Sequence, residues 1–449
     1  MKSCFVFLLF YYFSGSVFSQ QLTQSIYSRY GLGIAHEQYT TSTTAMGGLH
    51  TAINDTNSFV VGNPASIAAI KTVLLDANFN LESNQFETPS YKKKYKTGYI
   101  GNLGLAFPVT DRWKAGLFLQ PYTSVGYFTR DTFVDASVGK VVNYHEGRGG
   151  SNKVGMSHAF QLHKYLNVGV NAAYIFGNIT HSTATYLNPP TSSDIYSEKI
   201  GSIQGFQGGI GFQSTFLLGA RNSSDTTRSI ANTLRGKKGW QMNIGAYYTF
   251  ATRLNMTYSA FNSKRTFVSA AYLVDTIYYK AQENLKNTLP STWSVGFWLQ
   301  RLDKRWGIGA EIKNSNWKNY TSPFYTSLGT GLTATNKSST SVGIQYLPNE
   351  KGLKYRQRIR YKLGMYSHLL GLAYNSSAIK DEGFTAGFSL PFARPRATIK
   401  TVLPINFLHV SISLGQLNTK GLPTTNQTYG RIQLGFSFSD DWFIRRKYD

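Results

Sequence analysis

The sequence predicts an all-β fold, a transmembrane antiparallel β-barrel of about 14 strands, with 16 as the alternative count. Three observations support this prediction. Large apolar side chains alternate with small or polar ones over most of the chain after about residue 70, as in residues 165–176 and 430–438. Aromatic residues cluster at the ends of the apolar runs, where a barrel places its interfacial girdles. Only 15% of the residues are charged, below the roughly 25% of an ordinary globular surface.

The number of strands follows from counting the alternating segments one by one. Fifteen candidates can be counted, from residues 73–86 to residues 428–438, whereas bacterial single-chain barrels normally have an even number of strands. We place the miscount either in residues 357–390 or in residues 138–163, which would be two strands broken at Gly147–Gly150. A soluble β-sandwich would show the same alternation. However, the candidate strands reach the 9–11 residues of a tilted membrane span and exceed the roughly 5–6 residues of globular strands.

Length, cysteine content and charge exclude several other classes of protein. None of the 449 residues lies in an apolar run of the roughly 18 residues that a membrane-spanning helix needs. A single cysteine excludes a disulfide-rich scaffold. The net charge of +24 suggests nucleic acid at first, but Lys and Arg are scattered along the chain rather than concentrated on one element. We therefore expect no nucleic-acid partner. We expect the basic residues to form a solvated rim, and the alternative is that they contact lipopolysaccharide phosphates or an acidic protein surface. The expected partners of the barrel are outer-membrane lipids and lipopolysaccharide.

The first 19 residues are predicted to be a signal peptide. Lys2 precedes an apolar run of nine residues, Phe5–Phe13, and Val17 and Ser19 fit a cleavage site. Cys4 would leave with this segment, so the mature chain would contain no cysteine. The sequence therefore predicts an exported protein of the bacterial outer membrane.

The mature chain is predicted to have three parts. Residues 20–70 alternate poorly and are too few for a domain, but they contain apolar patches such as Phe59-Val60-Val61. A barrel of fourteen strands is wide enough to need filling, so we expect residues 20–70 to form a hatch that occludes the lumen. The alternative is a disordered periplasmic tail. Residues 71–439 would form the barrel, and residues 440–449 a basic periplasmic tail.

Short motifs in the hatch resemble a known family. Ser28-Arg29-Tyr30-Gly31-Leu32-Gly33 is followed by Met46-Gly47-Gly48 and by Asn63-Pro64-Ala65. This order resembles the hatch of the FadL-like family of outer-membrane transport proteins, the FadL/TodX type. The end of the chain is similar to a branch of that family found in gliding and gut-dwelling envelope lineages.

The resemblance implies a fold and a route for a ligand. It implies a fourteen-stranded barrel around the hatch, a hydrophobic pocket near the hatch, and lateral release through a gap beside a kinked third strand. In this sequence the third predicted strand contains Pro121, which cannot donate a hydrogen bond to a ladder, and Gly126, which weakens the strand. These two residues are the predicted lateral gate, although an ordinary β-bulge would account for them equally well.

The C-terminal end departs from the aromatic terminus that many barrels present to the assembly machinery. Phe438, Trp442 or Phe443 could supply that aromatic signal, and the chain then ends in a basic tail that contains Arg445, Arg446 and Lys447. We expect this tail either to lie free in the periplasm or to dock a partner.

The sequence contains no arrangement that predicts catalysis or a cofactor. It has no His-Glu-x-x-His or Cys/His metal spacing, no Gly-x-Ser-x-Gly elbow and no phosphate-binding loop. We therefore expect no catalytic residue, no metal and no cofactor. The predicted function is passive uptake of small hydrophobic, fatty-acid-like molecules with lateral release. The alternative is a non-transporting barrel subunit of an outer-membrane secretion or protein-assembly complex.

Overall fold

The computed structural model shows one antiparallel sheet that closes on itself around the N-terminal segment. The structure describes residues 23–88, 91–187, 193–219, 239–268, 271–318, 320, 332–350, 352–374, 377–392, 406–419 and 426–440. The predicted signal peptide and the tail with Trp442, Phe443, Arg445, Arg446 and Lys447 lie outside these residues and stay predictions.

Seventeen strand segments are present in the described chain. The first nine are β1 (Ile34–Ala35), β2 (Val73–Thr88), β3 (Tyr91–Pro108), β4 (Trp113–Asp135), β5 (Gly139–His163), β6 (Leu166–Leu187), β7 (Asp194–Leu218), β8 (Trp240–Thr249) and β9 (Thr252–Val268). The others are β10 (Ala271–Leu289), β11 (Thr292–Arg301), β12 (Trp306–Ser315), β13 (Leu332–Tyr346), β14 (Arg360–Tyr374), β15 (Ser377–Pro391), β16 (Phe407–Thr419) and β17 (Asn426–Asp440).

The barrel wall has fourteen strands, because two pairs of segments are single strands with a break. Both β8 and β9 pair with β7, through Gly209↔Thr249 and Gln204↔Asn255, so the chain continues in one direction across residues 250–251. In the same way β10 pairs with β9 and β11 pairs with β8, so β10 and β11 are two parts of one strand. The break between β10 and β11 contains Pro290, which lacks the N–H that a ladder needs. The pairing of β17 with β2 closes the ring.

This arrangement confirms the fourteen-stranded barrel and corrects the count of its candidates. The extra candidate came from residues 240–268, where β8 and β9 form one strand rather than two, while residues 271–277 belong to β10. It did not come from β14 and β15, and β5 runs unbroken through Gly149 and Gly150, which both adopt positive φ.

The wall alternates between two environments, as the period-two pattern predicts. On β11, the outward Trp293, Val295 and Phe297 expose 45–47% of their surface, whereas the inward Ser294 exposes 2%. The longest strands, β5 and β7, contain 25 residues each. At roughly 3.3 Å per residue they are about 80 Å long, so even a strongly tilted strand extends beyond the roughly 30 Å hydrocarbon core.

The described N-terminal segment lies against the inner face of the wall. It contains a 3-10 turn at Ile26–Arg29, strand β1, the single-turn helix α1 (Thr41–Thr44) and a 3-10 turn at Pro64–Ala69. Its residues 40–53 and 58–67 are almost all buried. No helix among the described residues is both long enough and apolar enough to cross a membrane.

Candidate functional site

The described N-terminal segment, residues 23–70, is called the hatch segment after its predicted role. Its Met46-Gly47-Gly48 turn lies directly on the barrel wall. Gly47 has a φ of +73°, and a Cβ at this position would lie 2.6 Å from the carbonyl oxygen of Met365 on β14. Its N–H donates to the Oγ1 of Thr385 on β15 at 2.9 Å. The turn therefore needs glycine both for its conformation and for its close approach to the wall.

The Asn63-Pro64-Ala65 motif is a second docking point. The Oδ1 of Asn63 accepts a hydrogen bond from the N–H of Ala65 at 3.0 Å, which caps the 3-10 turn. Its Nδ2 donates to the carbonyl of Thr51 at 2.6 Å. A Cβ added to Gly169 of β6 would lie 2.4 Å from the Ala65 nitrogen, so the wall is bare where the motif contacts it. The motif thus joins two parts of the hatch segment and seats them on the wall.

Buried charges of the wall hold the hatch segment at two further points. Glu311 of β12 accepts hydrogen bonds from the N–H groups of His50 and Thr51, both at 2.8 Å. Arg360 of β14 donates to both carboxylate oxygens of Asp55, at 3.3 and 3.1 Å. Burial raises the pKa of Asp55, but the attraction of Arg360 and Lys362 and the hydrogen bond from the Asn57 N–H together outweigh it, and the pKa falls to about 2.

A third charged contact lies between Glu37 and two lysines of the wall, Lys313 on β12 and Lys337 on β13. Burial opposes ionisation of Glu37, yet the two lysines hold the pKa of this carboxyl well below its usual range. Sequence reasoning missed these anchors. The available signal was a charged residue on the small, inward face of a predicted strand.

The wall opens between β3 and β4. Within these two described strands, the ladder extends only from Pro108↔Lys114 to Leu103↔Leu119. Beyond Leu119, β4 pairs with β5 on one side, and β1 of the hatch segment pairs with its other edge through Ile34↔Ser124 and Ala35↔Thr123. Residues 91–102 of β3 and 120–135 of β4 therefore do not pair with each other.

Pro121 lies at this point of separation. Pro121 lies two positions after Leu119, the last residue of β4 that pairs with β3. The register between β4 and β5 shifts across Tyr122. Strand β4 itself continues to Asp135. Gly126 lies further along β4, where its N–H donates to the Oγ of Ser28 at 3.0 Å. Gly126 thus contacts the hatch segment, and the role of both residues as a gate stays a prediction.

His36 of the hatch segment occupies the opening. Its ring centroid lies 5.1 Å from that of Tyr99 on β3, and its Nε2 lies 2.7 Å from the Oγ of Ser124 on β4. Burial, reinforced by the charge of Arg431, lowers the pKa of His36 to about 4. A neutral imidazole therefore bridges the two edges at neutral pH.

A cavity of about 180 Å³ lies behind His36. It is bordered by Tyr99 and Gly101 of β3, by Pro121 and Tyr122 of β4, and by the hatch segment. The cavity thus extends from the interior of the barrel to the opening in its wall.

Within the described residues, nothing in this region forms a recognisable catalytic or metal site. No group of three His, Cys, Asp or Glu side chains there could hold a metal ion. The nearest approach to a hydrolase arrangement joins Ser389, His409, Ser437 and Asp76 by hydrogen bonds. All four residues are at most 2% exposed, and none of them lines the cavity.

Comparison with solved structures gives the same architecture. The toluene transporter TodX of P. putida matches with a TM-score of 0.57 at 13% identity, over 91% of this chain and 100% of that one. The CymD monoaromatic hydrocarbon channel gives 0.56 at 13% identity, over 91% and 98%. A Pseudomonas aeruginosa FadL homologue gives 0.56 at 11% identity, over 91% and 99%. These likenesses establish the FadL-type fold.

Sequence comparisons identify the family. No curated protein matches the chain. The model of the BamG family matches residues 1–449. The predicted resemblance to FadL-like proteins is therefore confirmed for the fold, while the envelope-lineage branch stays a prediction. Since the family model covers the whole sequence, this protein is a member of the BamG family.

Proposed function

We propose that the barrel passively admits small hydrophobic molecules across the bacterial outer membrane and releases them sideways between β3 and β4. The observation that supports this most strongly is the cavity that continues from the interior to the opening at Pro121. The hatch segment occludes the lumen, so a ligand that reaches the cavity has an exit toward the wall. The solved structures with this fold include toluene transporters and a monoaromatic hydrocarbon channel.

Uptake in a deletion strain tests this function. Cells that lack the protein are expected to take up labelled toluene more slowly than the parent, and a plasmid copy is expected to restore the rate. Unchanged uptake of toluene and of a panel of fatty acids would overturn the proposal. Cell fractionation and N-terminal sequencing test the location, with the mature chain expected to begin at Gln20.

The basic rim supports a contact with lipopolysaccharide. Lys92, Lys93, Lys94 and Lys96 are exposed at the end of the β2–β3 hairpin, where they can meet phosphate groups. Lipopolysaccharide is expected to copurify with the protein, and replacing these lysines by Gln is expected to weaken that association in a salt-dependent way.

A subunit of an outer-membrane assembly complex is the second candidate, and one observation favours it. Leu273, Val274 and Tyr279 of β10 are 66%, 52% and 65% exposed. They lie roughly 15–20 residues along the wall from the lipid-facing Trp293, which at about 3.3 Å per residue places them beyond the bilayer. Exposed apolar patches of this kind often bind proteins. Purification in mild detergent would distinguish the candidates, because only a subunit yields a stable stoichiometric complex.

A further inference from the structure

The cavity beside the opening has an aromatic lining that also contains unpartnered polar atoms. Nine tyrosine and tryptophan side chains line it, among them Tyr39, Tyr99, Tyr122 and Tyr429. Among the described residues, four further lining side chains have a buried polar atom without a hydrogen-bond partner, namely Asn80 Oδ1, His368 Nε2, Ser413 Oγ and Gln433 Oε1. Each of these four residues is at most 8% exposed.

Three of the four unpartnered groups lie close together on one part of the wall. Asn80 of β2 is opposite Gln433 of β17. Ser413 of β16 is opposite Arg431, the inward residue two positions before Gln433. The set offers carbonyl acceptors together with a hydroxyl that can donate. A ligand hydroxyl, which both donates and accepts, satisfies such a set, whereas a hydrocarbon leaves each buried group unpaired, which is unfavourable.

The charged groups around the cavity already have partners. Arg431 donates from Nε and NH2 to the Oε2 of Glu82, at 2.7 and 2.6 Å. Lys337 is paired with Glu37 at 3.0 Å. Asp381 accepts a hydrogen bond from the hydroxyl of Tyr429 at 2.6 Å. Glu37 is also paired with Lys313, so the three cations and the three carboxylates of this described region balance in number. An incoming carboxylate would add a buried negative charge without a matching cation.

The size of the cavity limits the ligand. A volume of about 180 Å³ is close to the roughly 150 Å³ of an engineered cavity that binds benzene. A single substituted aromatic ring fits this space, and its faces can pack against tyrosine rings in offset or edge-on geometry.

We propose that the cavity selects neutral aromatic molecules that carry a hydroxyl group, the phenol class, over both hydrocarbons and carboxylates. This proposal rests on the proposed uptake function and specifies its substrate class. The hydroxyl lies against Asn80, Gln433 and Ser413, and the ring lies among the tyrosines.

Three probes of nearly equal size test the selection. Toluene and p-cresol differ by one hydroxyl, and benzoate is an anion at pH 7, at which p-cresol is neutral. Titration calorimetry on the purified full-length protein in detergent is expected to give p-cresol at least a tenfold lower Kd than either competitor. Equal or tighter binding of toluene, or tightest binding of benzoate, would overturn the proposed class and leave uptake itself standing. Absence of binding by all three would overturn the proposed function as well.

Variants locate the hydroxyl. Gln433→Leu is expected to raise the Kd for p-cresol roughly tenfold, the loss of about one hydrogen bond, and to leave the Kd for toluene unchanged. Ser413→Ala is a smaller change that keeps the test valid if the Leu variant does not fold. Gln345→Leu is the matched control, because Gln345 is also inward-facing and 8% exposed but does not line the cavity. A uniform effect of all three variants on both ligands would refute the assignment.

Discussion

Removing the Glu311 carboxylate should release the centre of the hatch segment from the wall. Glu311 is 6% exposed and accepts hydrogen bonds from two backbone N–H groups, those of His50 and Thr51. The His50 Nδ1 also lies 2.9 Å from its Oε1. A hydrogen bond to a charged group contributes roughly 1.5–3 kcal/mol. Loss of the two backbone contacts in Glu311→Ala should therefore cost about 3–6 kcal/mol of docking free energy.

Hydrogen exchange measures this release directly. Each 1.4 kcal/mol is a factor of ten in an opening equilibrium, so the amides of His50 and Thr51 should exchange at least roughly a hundredfold faster in the Ala variant. Glu350→Ala is the control, because the Lys304–Glu350 pair is exposed and such pairs contribute only about 0–1 kcal/mol. Unchanged protection of residues 48–53 in Glu311→Ala would refute the role of Glu311 as an anchor.

Three further predictions concern the hatch segment. Gly47→Ala should destabilise the protein by at least about 2 kcal/mol in thermal unfolding, because φ is +73° and a wall carbonyl is too close, whereas Gly430→Ala, with its nearest neighbour at 3.6 Å, should be tolerated. The pKa of Asp55 falls from 3.8 to about 2 on folding, so the ionised carboxylate with its partners, of which Arg360 is the strongest, should stabilise the native state by roughly 2 kcal/mol above pH 4. That contribution should disappear as the pH falls toward 2, and Asp55→Asn should lack this acid dependence. His36→Ala should enlarge the opening and raise toluene uptake several-fold at unchanged expression; unaltered uptake would contradict a blocking role for the imidazole.

The barrel could be predicted from sequence because alternation is a local property. Trp293, Ser294 and Val295 already show which side chain faces outward, without knowledge of any partner strand. The break at residues 250–251 could not be predicted, because a strand that turns back and a strand that merely kinks have the same local pattern. Only the pairing of both halves with β7 distinguishes them.

Only those features of the candidate site that depend on a single residue could be predicted from the sequence. Pro121 was informative because proline cannot donate in a ladder wherever it lies. The role of Glu311 depends on the backbone of His50, which lies 261 positions away in the chain, and no local pattern encodes such a contact. The unpartnered polar atoms of the cavity are likewise a property of the assembled wall, since Asn80 and Gln433 meet only through closure of the barrel.

The most direct test of the opening is a reversible lock that fixes β1, and with it the neighbouring His36, on the edge of β4. Ala35 of β1 and Thr123 of β4 are opposite each other in an antiparallel ladder, a geometry that suits a disulfide. The only native cysteine, Cys4, lies in the predicted signal peptide. In cells that produce the Ala35→Cys/Thr123→Cys variant, uptake of labelled toluene should fall to the level of the deletion strain under oxidising conditions and recover after reduction. Full uptake by the oxidised, fully cross-linked protein would contradict passage between β3 and β4.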